Sequence, residues 1–310
     1  MERNDKIFIA GAAGQLGRAI CKALKEFGYQ NILTPNSAEL DLCDEKQVEE
    51  FFSREKPSYV FFCAAFIGGI EFKRKHPAEI FTQNMKMTLN IFELARKYCV
   101  KRMIYLATAL VYPNDAEIPT PEACIRQVSP EGADSPYTLL KFSGLKMCEY
   151  YRQQYGCEFF TVIPCNFFGP NAPFDGDKAG VIPSLIRRIY KAKTEGEPNV
   201  VVWGTGNAGR DFLGVNDVAD ACIHTMRFYE GSLVYNIGSG NEITIREAAE
   251  TIKNLIGYEG ELIFDKDKPE GRKHMLLDTS LLLKNGWKPK HSFKESVEIT
   301  LEWYKRSLVI

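Results

Sequence analysis

Tyr137 and Lys141 are separated by Thr138-Leu139-Leu140. On a helix that i, i+4 spacing puts the phenol and the ammonium on one face. A tyrosine hydroxyl ordinarily titrates near pH ~10. To exchange a proton with an alcohol or a carbonyl oxygen near neutrality it needs a cation beside it. Thr108 ends the apolar run Met103-Ile-Tyr-Leu-Ala107. A hydroxyl at a strand end can fix a carbonyl oxygen while the phenol delivers the proton. Thr108, Tyr137 and Lys141 are therefore the expected catalytic set, and the expected chemistry joins a ketone to its alcohol. YxxxK by itself usually marks a solvated helix pair. The strand-end hydroxyl, the helical setting and a glycine fingerprint at the chain start single this one out.

Such groups need a source of reducing equivalents, and the start of the chain offers a place for one. The strand Lys6-Ile-Phe-Ile-Ala10 is followed by Gly11-Ala-Ala-Gly14-Gln-Leu-Gly17 and a helix. The helix has an apolar stripe of Leu16, Ile20, Leu24 and Phe27 and stops at Gly28. Strand, GxxGxxG and helix in that order form a dinucleotide fingerprint. The first glycine permits a tight turn, the second lets the backbone approach a pyrophosphate, and the third lets helix pack on strand. The phosphates then lie at a helix N-terminus. Gly11, Gly14, Gln15, Leu16 and Gly17 are the expected contacts.

A second strand is read over 31–35. Asn36 and Ser37 follow it and are neither acid nor cation. Both can hydrogen-bond a 2′-phosphate, which favours NADPH, with NADH as the alternative. Asp41 is placed against the adenine, with Leu42 beside it. The strand Tyr59-Val-Phe-Phe-Cys63 leads to Ala64 and Ala65, small enough for the chain to pass close beneath a cofactor. Leu106 and Ala107 approach the site with Thr108. After the strand 159–163, Pro164, Asn166 and Phe167 complete the expected cofactor contacts.

The elements that must position these residues alternate. Helices are read over 45–54, 84–97 and 137–155, the second with Met87, Ile91, Leu94 and Tyr98 on one side. Buried strands lie between them, and a Pro-rich surface loop covers 112–136. The expected fold is α/β: a Rossmann-type doubly wound parallel sheet with a smaller, mixed α/β C-terminal substrate domain. Residues 1–165 would hold the dinucleotide, with about 214–238 rejoining them through a strand at Val234. Residues 166–213 and 239–310 would hold the substrate.

The chain has 310 residues, 45% hydrophobic and 25% charged, which suits one large domain or two closely joined ones. With a formal charge of -1 and no long basic stretch, nucleic acid is not an expected partner. Nine cysteines without CxxC or Cys/His spacing read as reduced thiols in a cytoplasmic protein and offer no metal site. The polar start leads directly into a strand, so no signal peptide is expected. No apolar run reaches the ~20 residues that span a bilayer, so no membrane partner is expected either.

Further motifs run in order along nearly the whole chain. They include Glu39-Leu-Asp-Leu42, Ala64-Ala65 with Gly68-Gly69-Ile70, Val111-Tyr-Pro113 and Asn166-Phe-Phe-Gly-Pro170. Val181-Ile-Pro183 with Arg187-Arg188, Val202-Trp-Gly204, Arg210-Asp-Phe-Leu213, Lys268-Pro-Glu-Gly271 and Leu276-Leu-Asp278 continue the series. With these the sequence resembles the extended short-chain dehydrogenase/reductases that modify nucleotide sugars, most closely the GDP-L-fucose synthase family. The resemblance implies a homodimer built on two long helices, NADPH as cofactor and a GDP-linked 4-keto-6-deoxy sugar as substrate. The family reaction epimerises C3 and C5 and then reduces C4. The resemblance places Asn166, Val181, Arg188, Trp203 and Arg210 at the substrate, the arginines on its diphosphate.

Four departures from that family bear on epimerisation and on cofactor choice. Its epimerase cysteine and histidine positions hold Leu110 and Gly180, neither of which can move a proton. Its two NADPH-binding arginines fall at Ala12-Ala13 and Asn36-Ser37. The expected activity is therefore C4 ketoreduction of a hexose or heptose derivative without epimerisation, with Cys165 as the fallback proton carrier. The rival readings are a bifunctional synthase, a nucleotide-sugar 4-epimerase with tightly held NAD, and a non-catalytic NADP-sensing scaffold.

Overall fold

The computed structural model describes residues 1–68, 70–127, 136–268 and 270–308. Gly69, Pro269 and residues 128–135 of the Pro-rich loop lie outside them.

The chain opens with β1 (Ile7–Ala10), α1 (Gln15–Glu26), β2 (Ile32–Leu33), α2 (Glu45–Glu55) and β3 (Tyr59–Phe62). It continues through α3 (Ile70–Lys75), α4 (Pro77–Lys97), β4 (Arg102–Leu106), α5 (Pro136–Tyr155) and β5 (Glu158–Pro164). Then come β6 (Asn166–Phe168), α6 (Val181–Glu195), β7 (Asn199–Trp203), β8 (Gly209–Gly214), α7 (Val215–Arg227) and β9 (Val234–Ile237). β10 (Glu242–Thr244), α8 (Ile245–Ile256), β11 (Glu261–Asp265), α9 (Ser280–Lys284) and α10 (Phe293–Ser307) close the chain.

Six strands form one sheet in the order β2-β1-β3-β4-β5-β9, and every pairing in it is parallel. All four residues of β1 and of β3 are buried. That is the pattern of a sheet covered on both faces. α1 packs against α7, and α4 packs against α5. The chain steps from β1 outward to β2 and then back across β1 to β3. This reversal opens a crevice at the C-terminal ends of β1 and β3, where doubly wound sheets hold ligands.

The later segments build two small sheets, β10-β8-β6 and β11-β7. A second apolar cluster, with Ile186 and Ile189 of α6, Ile252 of α8 and Leu301 of α10, holds them together. α8 starts with a reciprocal capping box between Thr244 and Glu247, which satisfies two amides that a helix start leaves unpaired.

Local details differ from the sequence reading for identifiable reasons. α4 starts at Pro77 rather than at 84, because proline fits the first turn of a helix and Ile80 adds a buried contact. The second strand shrinks to Ile32–Leu33, since as an edge strand it pairs with β1 alone. Phe27 is 38% exposed: it caps α1 rather than extending its buried stripe.

Candidate active site

The glycine loop follows β1 directly. Gly11 has φ +88°, and a Cβ there would lie 2.6 Å from the Ala64 backbone nitrogen. A Cβ on Gly17 would lie 2.2 Å from the Gly11 carbonyl oxygen. The loop is thus closed by backbone-to-backbone contacts that no side chain could enter. Gly14 caps α1 without any side-chain hydrogen bond to its first amides, so these remain available to an anion. Such a cradle fits a dinucleotide pyrophosphate.

Above it lies a cleft of about 490 Å³. Gly11, Gly14, Gln15, Leu16 and Gly17 form its floor. Asn36, Ser37, Asp41 and Leu42 line one end, and Ala64, Ala65, Leu106, Tyr137, Lys141 and Phe167 line the rest. Ala107 and Pro164 are buried beside this wall and do not line it. Asn36 shapes its own turn, its side-chain oxygen accepting from the Ala38 and Glu39 amides at 2.8 and 3.2 Å. The Asp41 carboxylate likewise accepts from the Cys43 amide at 2.9 Å.

Tyr137 and Lys141 lie in the first turns of α5. Lys141 is buried and donates to the Leu106 carbonyl oxygen at 2.7 Å. Its ammonium stands 4.9 Å from the Tyr105 ring centre and 5.7 Å from that of Tyr137. Burial pulls Lys141 down to about 8, partly offset by neighbouring Cys63. Burial pushes the Tyr137 phenol up to about 12. The site thus carries a weakened cation and a strongly protonated phenol, a proton donor in waiting.

Thr108 sits at the end of β4, where its side chain caps the short turn Ala109–Val111. It lines a second cavity of about 340 Å³ with Cys165, Asn166, Lys178, Gly180, Val181 and Arg210. Gln15 and Phe167 belong to both cavities. Gln15 also donates to the Gly169 carbonyl at 3.2 Å, tying the glycine loop to the second cavity's wall. The expected catalytic set is therefore divided. Tyr137 and Lys141 line the first cleft, and Thr108 lines the neighbouring cavity.

Two substrate candidates fall outside this second cavity's wall. Arg188 donates to the Val201 carbonyl. Trp203 is 56% exposed at the end of β7, with the Lys268 ammonium 5.9 Å from its ring. It is neither core nor cavity wall. Cys165 does line the cavity, but it is 5% exposed, and burial together with the nearby Asp211 carboxylate pushes its thiol well up. It remains a protonated thiol at neutral pH and cannot serve as a base.

Other residues came to light only in three dimensions. Buried Asn84 accepts from the Phe66 amide at 2.9 Å and donates to the Phe66 carbonyl at 2.7 Å, which fixes the loop after β3. Phe72 of α3 packs edge-on against Phe66, with ring centres 5.7 Å apart. This places the Lys73 ammonium 5.7 Å from the Tyr137 ring. Lys178 reaches the second cavity from a 3-10 turn that packs against α3. Asn84, Phe72, Lys73 and Lys178 carry no local sequence signal for these positions.

Among the described residues no His, Cys, Asp and Glu cluster could hold a metal ion, and no helix is long and apolar enough to cross a membrane.

Comparison with known proteins agrees with this geometry. Residues 7–238 match the family described as NAD dependent epimerase/dehydratase. The chain is 40% identical to GDP-L-fucose synthase 1 of Arabidopsis thaliana, over 99% of this chain and 95% of that protein. It is 35% identical to the GDP-L-fucose synthase of Escherichia coli, over 97% and 96%. Among solved structures, a GDP-mannoheptose C4 reductase from Campylobacter jejuni with NADP bound superposes with a TM-score of 0.88 at 30% identity, covering 98% of this chain and 99% of that one.

Proposed function

Since the chain belongs to the NAD dependent epimerase/dehydratase family, we propose that it is an NADPH-dependent C4 ketoreductase of a GDP-linked 4-keto-6-deoxy sugar, hexose or heptose, that does not epimerise C3 or C5. One observation carries the reading. Tyr137 and Lys141 line one cavity and Thr108 lines the other, the two cavities sharing Gln15 and Phe167, while the second cavity holds Gly180 and a thiol that stays protonated. The expected donors for reduction line these cavities, and among the described residues of the second cavity's wall none is a carboxylate or imidazole suited to drawing a proton from a sugar carbon.

In this reading the glycine loop and the free amides of α1 hold the dinucleotide, and Asn36, Ser37 and Asp41 flank its adenosine end. When bound, the nicotinamide supplies the hydride. Thr108 hydrogen-bonds the C4 carbonyl oxygen, and the Tyr137 phenol gives that oxygen its proton. Lys141 holds positive charge beside the phenol and, through the Leu106 carbonyl, stays fixed beneath it. Arg210 and Lys178 supply the second cavity with cationic charge suited to a diphosphate. The NADP-bound C4 reductase among the similar structures supports NADPH as the cofactor.

The test is incubation with GDP-4-keto-6-deoxymannose and NADPH in D2O, with the product read by NMR. NADPH oxidation with no enzyme-dependent deuterium at C3 or C5 is the expected result. Deuterium at those carbons, in an inverted product, would overturn the reading and favour the bifunctional synthase. A persistent NAD absorbance in the purified protein would favour the 4-epimerase.

The protein is further read as a homodimer through α4 and α5. Leu89 on α4 and Tyr150 and Tyr155 on α5 are 47%, 57% and 47% exposed on these two adjoining helices. Apolar surface on neighbouring helices suits a second copy. Sedimentation equilibrium is expected to give twice 35.1 kDa; a monomer mass at micromolar concentration would refute it.

A further inference from the structure

NADPH differs from NADH by one phosphate on the adenosine ribose, and a site that prefers it needs a positive charge at that point. The segment after β2 offers none. Pro35, Asn36, Ser37 and Ala38 are uncharged, and Glu39 is an acid. Nor is Glu39 poised to grip a ribose hydroxyl, because its carboxylate turns back onto the Asn36 amide at 2.9 Å.

A cation stands beside the glycine loop instead, held to a residue that lines the cleft. Arg18 lies one turn into α1, is exposed, and folds back over the glycine loop so that its Nε donates to the Ala13 carbonyl at 2.8 Å. Ala13 lines the nucleotide cleft together with Pro35, Asn36 and Ser37. A guanidinium carries five N–H donors. The Ala13 bond uses the Nε–H and orients the plane. The two terminal nitrogens make no described hydrogen bond or ion pair, and their fork matches two phosphate oxygens.

We infer that Arg18 is the residue that selects NADPH, holding its 2′-phosphate from the helix side of the cleft while Asn36 and Ser37 hydrogen-bond it from the loop side. The inference rests on the reading of the cofactor as NADPH. It places the selecting charge on α1, whose N-terminal end already favours anions. The Ala13 bond orients the guanidinium before the nucleotide arrives, so part of the side-chain freedom is already given up.

The experiment compares NADP+ and NAD+ affinities by calorimetry, without sugar, in the wild type, Arg18→Met and Arg18→Lys. The wild type is expected to prefer NADP+. Arg18→Met is expected to weaken NADP+ by about tenfold to a hundredfold, the worth of a charge-assisted pair, and to leave NAD+ within about twofold. Arg18→Lys should recover part of the loss. Equal weakening of both nucleotides would overturn the inference, since it would mean that Arg18 only shapes the loop through Ala13. Unchanged affinities would overturn it too. A wild type that binds both nucleotides equally would defeat the NADPH reading itself, so the two failures are distinguishable.

Discussion

Tyr137→Phe is expected to lower kcat by about a thousandfold, the usual scale for loss of a positioned general acid, with NADP+ affinity within about twofold of wild type. The substitution removes one oxygen. The ring stays beside the Lys141 and Lys73 ammonium groups, each 5.7 Å from its centre, so the cleft wall keeps its shape. Thr108 can still bind the carbonyl oxygen, but it lines the other cavity, and its aliphatic hydroxyl is a far weaker acid than a phenol. Single-turnover oxidation of NADPH, together with a nucleotide titration, separates the two effects. Turnover like that of the wild type would remove Tyr137 from the mechanism. Parallel loss of turnover and nucleotide affinity would make it a binding residue.

Lys141→Met is expected to act on both activity and stability, and the stability effect has a definite sign. The unfolded chain keeps this proton up to its ordinary value of 10.5, but the folded protein keeps it only up to about 8. Between those values the folded state binds fewer protons, so raising the pH favours folding. Below about pH 8 the wild type carries the full cost of a buried ammonium, at most about 3 kcal/mol. The difference in unfolding free energy between wild type and Lys141→Met should therefore move in favour of the wild type as the pH rises from about 8 toward 10.5. It should be flat from pH 6 to 7.5. The lost hydrogen bond to the Leu106 carbonyl shifts the whole curve by a constant and does not alter its slope. Urea melts of the ligand-free proteins across this range measure it. A difference that stays constant through pH 10 would show that Lys141 is not desolvated. At neutral pH the same variant should lose turnover by a factor comparable to that of Tyr137→Phe.

Why does a protein keep a destabilising charge at 3% exposure? A cation withheld from water interacts more strongly with a neighbouring phenol than a solvated one. Folding stability is given up where the chemistry gains.

The parts of this site that the sequence made legible depend on local geometry. Gly11, Gly14 and Gly17 follow from a strand, a turn and a helix met within a dozen positions. Tyr137 and Lys141 follow from one helical repeat, and Thr108 from the end of an apolar strand. All of these line one or other of the two cavities. What could not be read depends on contacts between distant segments. Lys73 reaches Tyr137 only because Asn84 fixes Phe66 and Phe66 receives Phe72. Nothing near residue 73 announces this. Trp203 illustrates the converse. Its motif marks the end of β7, but whether a strand end faces a cavity or solvent depends on how the small sheets turn. Here the ring faces solvent.

The outer edge of β5 is completed only by β9, through pairs running from Thr161–Val234 to Pro164–Ile237. A ribosome releases the chain from its N-terminus. When the first 165 residues have emerged, the half proposed to hold the nucleotide has all its fingerprint residues but an open strand edge, a surface that invites pairing with other chains. The edge stays open while β6, α6, β7, β8 and α7 are made. Only then can the missing strand arrive. The two halves of this site thus share a birth order: the machinery that holds the dinucleotide cannot be finished until much of the machinery for the second cavity already exists.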